Sequence, residues 1–148
     1  MISKRLWVIP AEKMKMRATH IVSLSDWTLE LLESLHTATG HGCYLFPSRT
    51  HSDGHISENT AGKIINVGYK GIATPHGFRS PAADVPNENG FPPDVIERQL
   101  AHVEQNKVRA AYHRTEYLPQ RVEMMQWYSG YLRERYNTAP ALIDAERS

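Results

Sequence analysis

Apolar and polar positions along the chain alternate in a way that predicts a short β-hairpin followed by a series of helices. Leu6 to Ile9 is an apolar, β-prone run closed by Pro10, and His20 to Leu24 is a second. The polar, basic stretch Ala11 to Thr19 between them reads as a long hairpin tip. Ser25-Asp26 then offers N-cap chemistry to a helix over Trp27–Leu35, in which Leu31, Leu32 and Leu35 recur at helical spacing. From Gly40 to Asn59 the composition turns to Gly, His, Ser, Pro and Asp, a loop with one short extended piece at Tyr44-Leu45-Phe46.

Later boundaries are set by prolines, glycines and caps. Ser57 opens a helix carrying Ile64, Ile65 and Val67, with Gly68 in the C-cap region. Thr74-Pro75 places a proline at a first helical position, so a short helix is expected from His76 to about Asp84, bent or cut short by Pro81 and Pro86. Asn89-Gly90 reads as a turn, and Pro92-Pro93-Asp94 starts a helix with Val95, Ile96 and Leu100. A short helix over Lys107 to Tyr112 and a longer one from Pro119 to Arg135 follow, and the segment from Asn137 is a polar, loose tail. The fold class expected is mainly α with a small antiparallel β-hairpin or sheet, α+β, in one domain over residues 1–136 with a tail over 137–148.

Composition narrows the function classes. The chain has 148 residues, 41% hydrophobic and 22% charged, enough apolar matter for a core and too much for a disordered segment. Its apolar runs fall far short of the roughly 20 residues that span a bilayer, so a cytoplasmic protein with no membrane partner is expected. The one cysteine, Cys43, forms no internal disulfide. Net charge is only +1, so a case for nucleic acid rests on local clusters. Lys4, Arg5, Lys13, Lys15 and Arg17 crowd the start, and Arg98, Lys107, Arg109, Arg114 and Arg121 recur in the later helices. On charge alone, such clusters are most simply solvated faces.

The chemistry sits in Thr74-Pro75-His76-Gly77-Phe78-Arg79, then Gln99-Leu100-Ala101-His102, then Ala110-Ala111-Tyr112. Each piece alone has a bland explanation: a capping histidine, a surface ion-pair arginine, a histidine at a helix C-terminus, a packed tyrosine. In this order and spacing they resemble the tyrosine recombinase, or phage integrase, family: its His-x-x-Arg box, its later histidine, and its nucleophilic tyrosine about ten residues beyond. The text from Asn89 to His102 is similar to the satellite-phage type of integrase. The resemblance extends upstream through Trp7-Val8-Ile9-Pro10-Ala11-Glu12-Lys13-Met14-Lys15-Met16 and downstream through Met124-Met125-Gln126-Trp127.

That resemblance implies a DNA breaking-and-rejoining enzyme, active in site-specific recombination and integration of mobile elements. Tyr112 is its nucleophile, His76 the base, Arg79 and His102 the phosphate donors, and Lys15 the acid for the leaving oxygen, with Lys13 in reserve. It implies no cofactor, since the bond energy is kept in a 3′-phosphotyrosyl link, and no metal. Partners would be double-stranded DNA at attachment sites and other integrase subunits, in the bacterial cytoplasm at the nucleoid. Tyr117, fifteen residues beyond His102, is too distant for the family pattern.

Against the pattern, the family's first arginine box and N-terminal DNA-binding domains would lie upstream of Met1. A non-catalytic prophage remnant keeping the fold and weak DNA binding is therefore the alternative reading. A second constellation, His36, His41, Cys43, His51 and His55, has one ligand-like gap in His51-x-x-x-His55 but no paired Cys-x-x-Cys, so zinc stays a minor alternative.

Overall fold

A computed structural model describes residues 2–3, 5–15, 17–49, 54–69, 74–101 and 117–146. Three strands form one antiparallel sheet in the order β1 (Ile2–Ser3), β2 (Leu6–Ile9), β3 (His20–Ser23). The expected hairpin is β2–β3, in register Leu6↔Ser23, Trp7↔Val22, Val8↔Ile21 and Ile9↔His20. β1 is an addition to the expected hairpin and pairs Ile2 with Trp7 and Ser3 with Leu6. Arg5, in the connection to β2, takes a left-handed φ of 64°.

The helices are α1 (Asp26–Thr39), α2 (Thr60–Tyr69), α3 (Arg79–Glu88), α4 (Pro93–Gln99) and α5 (Leu118–Glu146). The architecture is the α+β class expected from the pattern of the chain. No helix among the described residues is long and apolar enough to cross a membrane.

Local chemistry explains most helix ends. Ser25 caps α1 by accepting the Thr28 N–H at 3.3 Å, satisfying one of the donors that a helix start leaves open. At the other end a Cβ on Gly40 would overlap the His36 ring, so α1 stops against a residue that has no side chain. Pro92 and Pro93 start α4 where a missing N–H costs nothing. α3 closes with two bonds, Phe91 N–H to the Pro86 carbonyl and Gly90 N–H to the Asn87 carbonyl, both 3.1 Å. Gly90 makes this closure possible with a φ of 86°.

Some boundaries depart from expectation. α2 begins at Thr60 rather than Ser57, whose hydroxyl and carbonyl serve the turn before it, and Gly68 lies inside the last turn instead of capping it. Residues 75–78 are a turn, so α3 begins at Arg79, three residues beyond the expected start at His76. Pro81 thereby falls in the first helical turn, where its absent N–H would have had no partner. Pro86 sits in the last turn and is fully buried, and the helix runs past the expected end at Asp84 to Glu88. α5 continues beyond Arg135 and through most of the segment expected to be a loose tail. The helix expected over Lys107–Tyr112 lies outside the described residues.

The chain divides into two compact units, one of Met1–Leu29 with Val85–Ser148 and one of Glu30–Asp84. In the first, Val95, Ile96, Met124, Tyr128 and Leu24 form the apolar core, where α4 and β3 each pack against α5. Tyr131 extends it as a ring contact of both Trp127 and Tyr128, and Phe91 reaches Trp127 with centroids 5.1 Å apart. In the second, α2 and the turn after it are joined by the close approach of Gly62 to Pro75, while Pro47 and His55 pair across the intervening loop.

Candidate active site

His76 and Arg79 occupy one exposed turn at the start of α3. Thr74 organises it: its hydroxyl and its carbonyl both accept the Gly77 N–H at 3.0 Å, and the Arg79 N–H closes onto the His76 carbonyl at 3.0 Å. A Cβ at Gly77 would lie 3.1 Å from the Thr74 hydroxyl, so the small residue between the two candidates keeps the turn tight. The His-x-x-Arg spacing therefore corresponds to one hydrogen-bonded turn that presents an imidazole and a guanidinium to solvent. An arginine is the side chain suited to a two-pronged bond to a phosphate, and a histidine is one that can take or give a proton near neutral pH.

Lys15 lies in the connection between β2 and β3, as the hairpin reading expects. A 3-10 turn over Ala11–Lys13 leads into a second turn, closed by the Arg17 N–H on the Met14 carbonyl at 2.9 Å, and Lys15 is an exposed central residue of that turn. Arg17 leaves it with a left-handed φ of 53°. Lys15 belongs to the first compact unit, whereas His76 and Arg79 belong to the second. His102 and Tyr112 lie outside the described residues. Tyr117 precedes α5 with a φ of 57°, and its carbonyl accepts the Arg121 N–H at 2.8 Å to open the helix.

The cation clusters divide. Arg5 forms an ion pair with Asp26, which Gln126 also binds through its amide. Lys107, Arg109 and Arg114 lie outside the described residues. Arg121 departs from the solvated face expected of these cations: it is 1% exposed and points into the core. Burial, reinforced by the nearby Arg98 charge, pulls its pKa down to about 10, so it remains a cation at neutral pH.

Around Arg121 is a polar cluster that the chain's pattern did not suggest. Its Nε donates to Gln99 Oε1 at 2.9 Å, its Nη2 donates to the Ile21 carbonyl, and its own carbonyl accepts the Ser23 hydroxyl at 3.4 Å. His20 Nε2 lies 3.2 Å from the Gln99 carbonyl. A carbonyl only accepts, so that nitrogen carries the proton. Burial first, then the Arg121 charge, holds His20 below its ordinary pKa of 6.5, which favours the neutral ring. The available signal was that His20, Gln99 and Arg121 are single polar residues each close in sequence to apolar positions, and such a placement equally describes a surface.

In the histidine-rich loop, His55 Nδ1 bonds the Ile56 carbonyl at 2.8 Å and its ring meets Tyr44 edge-on at 5.4 Å. His51 lies outside the described residues, and no group of three His, Cys, Asp or Glu residues among those described is placed to share a metal ion.

Comparison with known proteins gives the family. The model described as "Phage integrase family" matches residues 1–118, a span that includes all five candidates, and the chain belongs to that family. It is 45% identical over 124 residues to the prophage integrase IntA of Escherichia coli (strain K12), covering 83% of this chain and 30% of that protein. It is 38% identical over 133 residues to the integrase of Shigella phage Sf6, covering 88% and 34%. It is 40% identical over 146 residues to the integrase of Enterobacteria phage P4, covering 87% and 33%. The chain thus spans about a third of the length of these relatives. No solved structure matches it.

Proposed function

We propose that this chain carries the strand-cleaving chemistry of a tyrosine recombinase, with Tyr112 as nucleophile and Arg79, His76, His102 and Lys15 as its companions. The observation that carries the reading is the family match over residues 1–118, which takes in each of these positions in the expected order. The His76–Arg79 turn supports it, because both residues lie at the surface within one hydrogen-bonded turn.

A phenol with an ordinary pKa near ~10 is a poor nucleophile at neutral pH and needs both a base and a neutralised phosphate. His76 takes the proton as Tyr112 Oη bonds to phosphorus. Arg79 and His102 bind the non-bridging oxygens, where negative charge grows in the pentavalent transition state. The bond from phosphorus to the 5′ oxygen breaks, and Lys15 protonates that oxygen. The products are a 3′-phosphotyrosyl link and a free 5′ hydroxyl. Attack by a partner strand's 5′ hydroxyl reverses the sequence and releases the tyrosine, so no water or nucleotide is consumed. The DNA substrate would be double-stranded attachment sites, and recombination between two of them needs further integrase subunits.

Covalent trapping on a nicked suicide DNA tests this reading. Wild type should give a protein–DNA adduct that Tyr112→Phe does not. Equal absence of adduct from both rejects catalysis by this chain, and salt-sensitive DNA binding without adduct is the outcome expected of a DNA-binding remnant.

A further inference from the structure

Residues 10–19 join β2 to β3 and carry Lys15. The bonds inside this connection are local: Lys13 N–H to the Pro10 carbonyl at 3.0 Å, Met14 N–H to the Ala11 carbonyl at 3.1 Å and Arg17 N–H to the Met14 carbonyl at 2.9 Å. Such bonds shape the Lys15 turn but do not tie it to distant parts of the chain. The tie is made at the root, where Ile9 and His20 form the last register pair of the hairpin.

Two successive residues of β3 are held at that root by groups from far along the chain. His20 Nε2 donates to the carbonyl of Gln99, the last residue of α4, at 3.2 Å. The Ile21 carbonyl accepts from Nη2 of Arg121, in the first turn of α5. The bond from Arg121 Nε to Gln99 Oε1, 2.9 Å, closes these contacts into a ring through β3, α4 and α5. β3 is an edge strand, whose outer carbonyls have no neighbouring strand to pair with, and here a guanidinium takes one of them. Gln99 and Arg121 are both buried, so the ring is anchored in close-packed surroundings. Lys15 and every member of the ring belong to the first compact unit, and His20 is the member closest in sequence to Lys15.

We infer that His20 is a positioning residue for Lys15: its bond to the Gln99 carbonyl fixes the root from which the Lys15 turn projects. The bond and the turn are features of the fold; their consequence for cleavage rests on the recombinase reading, in which Lys15 protonates the leaving 5′ oxygen. His20 touches no DNA and acts only through the turn. A general acid has to lie within hydrogen-bond reach of the departing oxygen, and a displacement of about 1 Å can cost about 10²-fold in rate. A turn shaped by local bonds depends on its root for that precision.

A change of leaving group isolates this role. When sulfur replaces the bridging 5′ oxygen of nicked DNA, the tyrosine oxygen still bonds to phosphorus, but the phosphorus–sulfur bond breaks to give a thiolate. A thiol has a pKa near ~8.5, so this group leaves without a donated proton. On the oxygen substrate, His20→Leu in the full chain should slow adduct formation about 10²-fold with DNA affinity unchanged. On the sulfur substrate it should match wild type, as Lys15→Ala should. His20→Gln, which keeps an N–H donor, should recover most of the oxygen rate. A folded His20→Leu with the wild-type oxygen rate overturns the inference. So does a loss that persists on sulfur, because the defect then lies outside the acid. Lys15→Ala without rescue by sulfur removes the acid and with it this role of His20. Should His20→Leu not unfold cooperatively, Arg121→Lys, which keeps the charge and loses the fork, is read on the same two substrates. Should wild type form no more adduct than Tyr112→Phe on either substrate, the recombinase reading fails and amide exchange decides. Faster exchange of the Arg17 N–H in His20→Leu, with the sheet unchanged, keeps His20 as the anchor of the turn; unchanged exchange overturns it.

Discussion

The turn around His76–Arg79 and the cluster around Arg121 each use an arginine, and they use it in opposite ways. At the turn, the guanidinium-bearing residue is exposed and is fixed by short-range backbone bonds among residues 74–79. In the cluster, the guanidinium is buried and bonded to groups 22 and 100 positions away. The first arrangement places an arginine at the surface. The second uses a charge to join distant parts of the chain, where it is inaccessible to DNA. Arginine in a basic run is therefore no measure of a DNA-facing surface: Arg121 belongs to the run and to the core.

This contrast can be broken most sharply at Arg79. Arg79→Lys should lower the adduct rate about 10²–10³-fold through loss of a transition-state donor, while the denaturant midpoint hardly moves. A large loss of stability would show that Arg79 is a framework residue like Arg121. The converse substitution, Arg121→Ala, should destabilise by about 1–3 kcal/mol in denaturant titration, since it leaves Gln99 Oε1 and the Ile21 carbonyl buried without their donor. An unchanged midpoint would remove the distinction between the two arginines.

Ser25→Ala tests how far the polar lacing of the first unit extends beyond Arg121. Ser25 caps α1 and also donates to the Ser129 hydroxyl at 2.8 Å, so its loss should cost about 1 kcal/mol, read from the melting curve. The smallest effect expected is a pH dependence. His20 titrates below 6.5 in the folded chain, so the unfolded chain binds its proton first as the medium is acidified. Its contribution to stability is complete above the unfolded value and is lost as pH falls from about 6.5 through the lower folded value. His20→Gln should flatten this part of the melting temperature against pH. An unaltered slope would mean that the acid sensitivity lies elsewhere.

Much of the framework was legible because it rests on neighbours in sequence. The two β-prone runs around Lys15 pair as a hairpin, Ser25 caps the helix after them, Asn89-Gly90 ends one helix and Pro93 starts the next. The start of α3 was misjudged by a turn because Thr74-Pro75 suits a turn as well as a helical start, and the Thr74 hydroxyl bond to Gly77 selects the turn. The length of α5 was misjudged because polar residues on a helix face read like those of a loose tail. Pro86 was expected to bend or shorten α3, yet the buried ring sits in the last turn of the helix, two residues from its end at Glu88.

Local patterning and motif order determined the class of fold, the family resemblance and the positions from which Tyr112 and its companions are proposed to act. Periodicity, caps and motif spacing are properties of residues close together in the chain. The tertiary structure alone decided that Arg121 is internal, that Gln99 and His20 are its neighbours, and that the hairpin, α4 and α5 meet at one polar junction. Whether an arginine meets water or a buried carbonyl depends on what folding brings beside it from far along the chain, and residue type alone does not carry that information.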